Sequence, residues 1–152
     1  MVLVRPVCRE DRPELLRMRL ALWPEGTPEE HAKDLDRHLA GKPPGILPYA
    51  VLVAETDDGL LAGFAEVSLR SYADGCDPAK PVGYLEGWFV AEAARRRGIG
   101  AALVNAAENW ARERGCLEMA SDTWLDNEEA QSAHRALGFE EVDRCVNYKK
   151  RL

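Results

Sequence analysis

Between Val90 and Ala101 the chain reads VAEAARRRGIGA, with three arginines and two glycines where a strand-like apolar run gives way to a helical pattern. Lacking a Cβ, Gly98 and Gly100 let the main chain turn tightly and approach a ligand closely. The first N–H groups of a helix have no intrahelical partner, and with the helix dipole they form a site for an anion. Arg95, Arg96 and Arg97 add positive charge at this end of the chain. A pyrophosphate is the natural guest of such a cradle. The plain alternative is a solvated turn whose glycine merely opens a helix.

The elements that must position this cradle belong to an ordinary globular chain. Its 152 residues, 46% hydrophobic and 30% charged, suit one domain over 1–152 with one core and no linker. Acidic residues number 26 against 20 basic, a formal charge of −6 that opposes nucleic acid and favours cationic partners. The longest apolar run, Tyr49 to Ala54, is far short of the roughly 20 residues of a membrane-spanning helix. The opening Met1 to Pro6 lacks the features of a signal peptide, so a cytoplasmic protein without a membrane partner is expected. Cys8, Cys76, Cys116 and Cys145 are scattered, which predicts plain thiols and no metal site.

Periodicity and capping signals give the order β, α, α, β, β, β, α, β, α, β. Leu3 to Val7 reads as a strand and a helix opens at Asp11, with Glu14 in capping-box spacing and Leu15, Met18 and Leu22 on one face. A second helix runs from Thr27-Pro28-Glu29-Glu30 to Gly41, burying Ala32, Leu35 and Leu39. After the Pro43-Pro44-Gly45 breaker, Tyr49–Glu55 and Leu60–Leu69 flank the turn Asp57-Asp58-Gly59 as a hairpin. In the strand Tyr84–Val90, strict alternation puts Tyr84, Glu86, Trp88 and Val90 on one face and Leu85 and Phe89 on the other. A helix over Gly98–Arg114 offers Ala102, Leu103, Ala106 and Trp110 to the core. Leu117–Thr123 is a strand, Asn127–Leu137 a helix and Phe139–Lys149 a last strand. A hairpin-fed antiparallel half joined to a β-α-β half implies an α/β (α+β) mixed sheet with helices on both faces.

Arg95-x-x-Gly98-x-Gly100, after a strand ending in Phe89-Val90, resembles the acyl-CoA signature of the GNAT superfamily of N-acetyltransferases. Asn127-x-x-Ala130-x-x-x-His134-x-x-Leu137-Gly138-Phe139 is similar to that superfamily's second motif. The resemblance implies a mostly antiparallel sheet whose central strand pair, ending at Val90 and starting near Leu117, splays apart at one end. It implies acetyl-CoA as co-substrate, with pantetheine bonded to main chain near Phe89 and Val90. The amides of Arg96, Arg97, Gly98, Ile99, Gly100 and Ala101 would hold the pyrophosphate and Asn127 would lie beside the pantetheine arm. A homodimer is also implied.

An amine with a pKa of roughly 8 to 10 is mostly ammonium near pH 7 and must lose a proton before it attacks. Glu86, beside the expected splay, is the candidate base, directly or through one water; the other reading is a solvent-facing strand residue. Many members of the superfamily carry a proton-donating tyrosine where this chain has His134. His134 suits the same task near neutrality, or it is a packing residue that touches the cofactor. Tyr148 is a weaker substitute.

Leu22-Trp23-Pro24, Tyr72-x-x-Gly75-Cys76-Asp77, Leu85-Glu86-Gly87-x-Phe89-Val90 and Met119-Ala120-Ser121-Asp122-Thr123 extend the resemblance to the aminoglycoside 6′-N-acetyltransferases. In that family acidic residues at the positions of Glu86, Asp122 and Asp143 face the drug, with aromatics at Trp23 and Tyr72. A polycationic sugar with little apolar surface has to be held by carboxylates, so the physics agrees. For Asp122 a turn or cap residue, for Asp143 an exposed strand residue and for Trp23 a core residue remain open. Acetylation of another amine (polyamine, amino sugar or protein amine) and a non-catalytic acetyl-CoA sensor are the rival functions.

Overall fold

Gly59, at φ +79°, supplies the left-handed residue that the hairpin turn needs, and Gly59 N–H donates to Thr56 O at 2.8 Å. The hairpin it closes joins β2 (Tyr49–Thr56) to β3 (Leu61–Arg70) in a computed structural model that describes residues 1–43 and 45–152. The Pro43-Pro44-Gly45 breaker falls partly on Pro44, which lies outside the described residues. With β1 (Val2–Pro6), β4 (Val82–Val90) and β5 (Met119–Ser121) these strands form one sheet in the order β1-β2-β3-β4-β5. Every pairing is antiparallel except β4 with β5.

Helices cover both faces, each drawn there by an apolar stripe. On one face α1 (Arg12–Leu22) and α2 (Pro28–Leu39) bring Leu15, Met18 and Leu35 against Val51, Val53 and Phe64. On the other, α3 (Ile99–Arg112) packs Ile99, Leu103, Val104 and Ala107 against Ala54, Ala65, Val67 and Leu85. Helix α4 (Glu128–Ala136) buries no residue of its own, and Leu137 and Phe139 after it touch the α3-side core. The Thr27–Glu30 capping box forms in both directions, and Pro28 takes the first turn of α2.

Four expectations change. Asp11 does not cap α1 as read: its carboxylate accepts two hydrogen bonds from Arg5, at 2.7 and 2.9 Å, and one from Cys8 N–H, while Glu14 pairs with Arg17. That bidentate guanidinium holds the Asp11 carboxyl down at about 2. The buried stripe of α3 is turned, so Val104, Ala107 and Ala111 are buried while Ala102, Ala106 and Trp110 are only half-buried. Leu117–Thr123 contracts to three paired residues, Met119–Ser121. Phe139–Lys149 is not a strand: residues 140–152 form no element, and Val142, Val146 and Tyr148 are exposed. The segment has strand-like composition, but no sheet edge of its own chain receives it. A strand cannot exist without a paired neighbour.

Candidate active site

Strand β4 pairs with β5 at only three positions, Gly83 with Met119, Tyr84 with Ala120 and Leu85 with Ser121. Beyond that rung β5 ends while β4 runs on to Val90. The outer edge of β4 from Glu86 onward therefore has no strand beside it, and a gap opens that leads toward the start of α3. Gly98, at φ +77°, caps that helix, and Arg96 before it also takes a positive φ of 63°. Two left-handed residues around Arg97 fold the loop so that the first N–H groups of α3 stand free of other backbone.

The arginines of this loop divide their work. Arg95 is a strut, since its Nε donates to Val90 O at 3.2 Å and its Nη1 lies 3.5 Å from Glu129. Arg96 and Arg97 are exposed and free to meet an anion. Gly100 serves a purpose the sequence did not reveal: a Cβ there would lie 2.8 Å from the Trp88 ring. Its smallness seats the first turn of α3 on Trp88. The Trp88 indole N–H is itself buried without a partner among the described residues. Unpaired helix amides, an open strand edge and an orphaned indole donor fit an extended acyl-CoA arm that ends in phosphates.

Strict alternation fails in β4. Glu66 pairs with Gly87 but Val67 with Leu85, so Glu86 is an extra residue in a β-bulge. The bulge sends Leu85, Trp88 and Val90 to the α3 side and Phe89 to the α1–α2 side, instead of Leu85 with Phe89. Trp88 thus leaves the face of Glu86 and faces the cradle.

Glu86 turns toward β3. Its Oε1 accepts from Ser68 Oγ at 2.5 Å and from Arg70 Nε at 3.1 Å, and its Oε2 accepts from Arg70 Nη2 at 2.8 Å. The Arg70 guanidinium lies 3.4 Å over the Tyr84 ring, and Tyr84 OH donates to Asp122 Oδ1 at 3.0 Å. Burial, with Asp122 adding to it, pushes the Tyr84 phenol up, which keeps it a neutral donor. Glu86 and Asp122 are thus the two ends of one polar chain.

Glu86 also lines a cleft of about 640 Å³ between α2 and the sheet, with Trp23, Glu30, Asp34, Tyr49 and Glu66 among its walls. Trp23 lies over Gly87, where a Cβ would come within 2.3 Å of its ring, and Arg19 sits 5.1 Å from the Trp23 ring centroid. Arg19 and Glu66 form a buried ion pair at the cleft floor, and Tyr49 OH donates to the other Glu66 oxygen at 2.5 Å. Tyr72 is exposed, its hydroxyl on Asp74. Asp143 lies on the exposed C-terminal segment and accepts from the N–H of Arg144, so this chain does not bring it to Glu86.

Glu66, Ser68 and Arg70 were not singled out from the sequence, yet all three meet the cleft or its base. Their signal was a period-two polar row along a strand whose alternate residues, Ala65 and Val67, are core.

On the other side of the gap, His134 Nδ1 lies 2.7 Å from Ala130 O and Nε2 lies 2.8 Å from Ser121 Oγ. The edges of Trp88 and Phe139 pack around the imidazole, with centroids at 5.8 and 5.3 Å. Asn127 caps α4, its Oδ1 accepting from Ala130 N–H at 3.0 Å, which sets the helix that carries His134. Among the described residues no group of three or more His, Cys, Asp or Glu is placed to hold a metal ion, and no helix is long and apolar enough to cross a membrane.

A strand fork feeding a left-handed loop and an open helix start is an acyl-CoA architecture, and the model of the acetyltransferase (GNAT) family matches residues 12–139. The chain belongs to the GNAT family. Aminoglycoside N(6′)-acetyltransferase type 1 of Klebsiella aerogenes is 50% identical over 150 residues, covering 99% of this chain and 97% of the relative. The enzyme of the same name from Serratia marcescens is 41% identical over 148 residues, covering 96% and 97%. The solved structure of AAC(6′)-Iy in complex with the bisubstrate analogue CoA-S-monomethyl-acetylneamine superposes with a TM-score of 0.88 at 36% identity, covering 100% of this chain and 99% of that one. The GNAT fold of this chain, a mostly antiparallel sheet forked between β4 and β5, is the expected one.

Proposed function

We propose that this chain is an aminoglycoside 6′-N-acetyltransferase that moves the acetyl group of acetyl-CoA to a primary amine of the drug and so confers resistance. The observation that carries this reading is the β4–β5 fork, which opens beside Glu86, the β4 residue that also lines the cleft whose walls hold the carboxylates Glu30 and Asp34 along with the cations Lys33 and Arg37. Relatives with up to 50% identity over nearly the whole chain bear the same activity in their names. When bound, acetyl-CoA supplies the activated acetyl group and the thiolate leaving group. Arg96, Arg97 and the amides from Gly98 to Ala101 hold its phosphates, with the edge of Phe89 and Val90 and the α4 start at Asn127 flanking the arm.

Glu86 takes the proton of the incoming ammonium, directly or through a water, and Ser68 and Arg70 fix its orientation. Asp122 and the α2 carboxylates Glu30 and Asp34 attract the remaining ammonium groups, while Trp23 gives the sugar a flat wall. Asp143, on the exposed C-terminal segment, is not brought to this set within one chain. We further propose that the chain acts as one domain, in the cytoplasm, as a homodimer in which a second copy covers the exposed Val142, Val146 and Tyr148. The four free cysteines suit that reducing compartment.

The test is release of CoA thiol with a panel of amines, with the acetylated nitrogen located by mass spectrometry. Thiol release with kanamycin-class drugs and acetylation at the 6′-amine is the expected outcome. Turnover confined to spermidine or peptides points to another amine, and binding without turnover to a sensor. Glu86→Gln in the same assay should lower kcat by about 10²-fold or more with acetyl-CoA binding intact.

A further inference from the structure

Ser121 is the last residue of β5 to pair with β4, and its hydroxyl stands between two groups. Its Oγ is 3.1 Å from Leu85 O and 2.8 Å from His134 Nε2. A carbonyl oxygen only accepts, so the 2.7 Å contact to Ala130 O fixes a proton on His134 Nδ1. Two arrangements of the remaining hydrogens are then available. With Nε2 bare, the single Ser121 O–H proton must choose between His134 and Leu85 O. With Nε2 protonated, His134 donates to Ser121 Oγ and the Ser121 hydroxyl donates to Leu85 O, and all three contacts are made at once. The place matters as much as the geometry. Any arm that enters the gap from the α3 cradle is stopped at the Leu85–Ser121 rung, and Glu86 is the next residue of β4.

We propose that Ser121 is the proton donor to the departing sulfur and that His134 resupplies it, a relay that rests on the acetyltransferase reading above. As the amine nitrogen bonds to the acetyl carbon, the carbon–sulfur bond breaks and its electron pair stays on sulfur. The Ser121 hydroxyl proton passes to that sulfur, and the His134 Nε2 proton passes to Ser121 Oγ. His134 is left neutral with its Nδ1 proton still on Ala130 O, and water restores the Nε2 proton afterwards. Nitrogen loses two protons, one to Glu86 before attack, which Glu86 hands on to water, and one to Glu86 again as the bonded nitrogen becomes an amide. Sulfur gains one, so each turnover releases one proton net. The Trp88 and Phe139 rings pack on the imidazole and hold it against Ser121, while both relay residues stay half-exposed, within reach of the water that restores the proton.

Two measurements test the relay. The first needs no turnover: nitrogen-15 spectra of histidine-labelled protein should show His134 with Nδ1 protonated, and Ser121→Ala should move the Nε2 resonance alone. A bare Nδ1 overturns the relay. The second is kinetic. Ser121→Ala should lower kcat by about 10²-fold with both KM values retained, and Ser121→Thr, which keeps the hydroxyl, should recover most of it. His134→Phe should cost a similar factor, and the double variant no more than either alone, because the two act as one unit. An unchanged kcat in Ser121→Ala, or losses that multiply in the double variant, overturns the relay alone. Absence of turnover by the unaltered protein with every amine overturns it together with the acetyltransferase reading.

Discussion

Replacing Glu66 with leucine should cost this protein more stability than any other single change at the cleft. Glu66 is 1% exposed and pairs with Arg19, itself 5% exposed, whose Nε has no partner among the described residues. With the carboxylate gone, the nearest counter-charge is Asp34, 4.0 Å from the guanidinium and half exposed. An uncompensated buried cation of this kind costs about 3–5 kcal/mol. At roughly 2.1 cal/mol/K per residue, a chain of 152 residues has an unfolding entropy near 320 cal/mol/K, so the loss corresponds to a Tm drop of about 9–16 °C. Thermal unfolding followed by circular dichroism measures it. The companion variant carries Arg19→Met and Glu66→Leu together. It should regain most of the loss, since an apolar pair of similar volume replaces a buried ion pair at little cost. Tyr49, which donates to Glu66, would lose its partner, worth about 1 kcal/mol. A Tm drop below about 3 °C in Glu66→Leu, or a double variant no more stable than the single, refutes the argument that burial makes this pair indispensable as a pair.

Gly100→Val should be overpacked against Trp88, costing about 1–3 kcal/mol and weakening acetyl-CoA binding by tilting α3; adding Trp88→Leu should recover the stability, and failure to do so in a melting experiment counts against the contact. Asp122→Asn keeps an acceptor for Tyr84 OH but removes one charge, so KM for an aminoglycoside should rise about five-fold or less, because Asp122 is exposed. The same KM should rise with added salt while KM for acetyl-CoA is spared, and insensitivity to both changes would remove the acidic cleft from substrate binding. Burial, with Arg19 adding to it, lowers the folded-state pKa of His38 to about 4, against 6.5 when free. The unfolded chain therefore binds this proton first, and stability should fall as pH drops from about 6.5 to about 4, a slope that His38→Gln should flatten in urea titrations. Asp11, held at about 2 by Arg5, adds its own loss only below its free value of 3.8.

The elements set by local chemistry were legible in the residues alone. The Thr27–Glu30 capping box, the Asp57-Asp58-Gly59 turn and the glycine opening of α3 each depend on neighbours within a few positions, so their sequence is their explanation. The left-handed loop and open helix start at Gly98 were readable for the same reason, and the family resemblance pointed to Glu86 as the candidate base. Long-range pairing decided the rest. A one-residue bulge at Glu86 moved Trp88 to the cradle and joined Glu86 to Ser68 and Arg70, and nothing in β4 announces a bulge that arises only from its register with β3. Gly100 was read as room for a phosphate because the residue that fills that room, Trp88, comes from another element. Phe139–Lys149 has the composition of a strand, but a strand is a relation between two segments, and among the described residues no strand pairs with it. Local sequence determined which residues were candidates for the chemistry, and tertiary structure decided which of them meet, because hydrogen-bond register and burial are properties of pairs of elements rather than of either one.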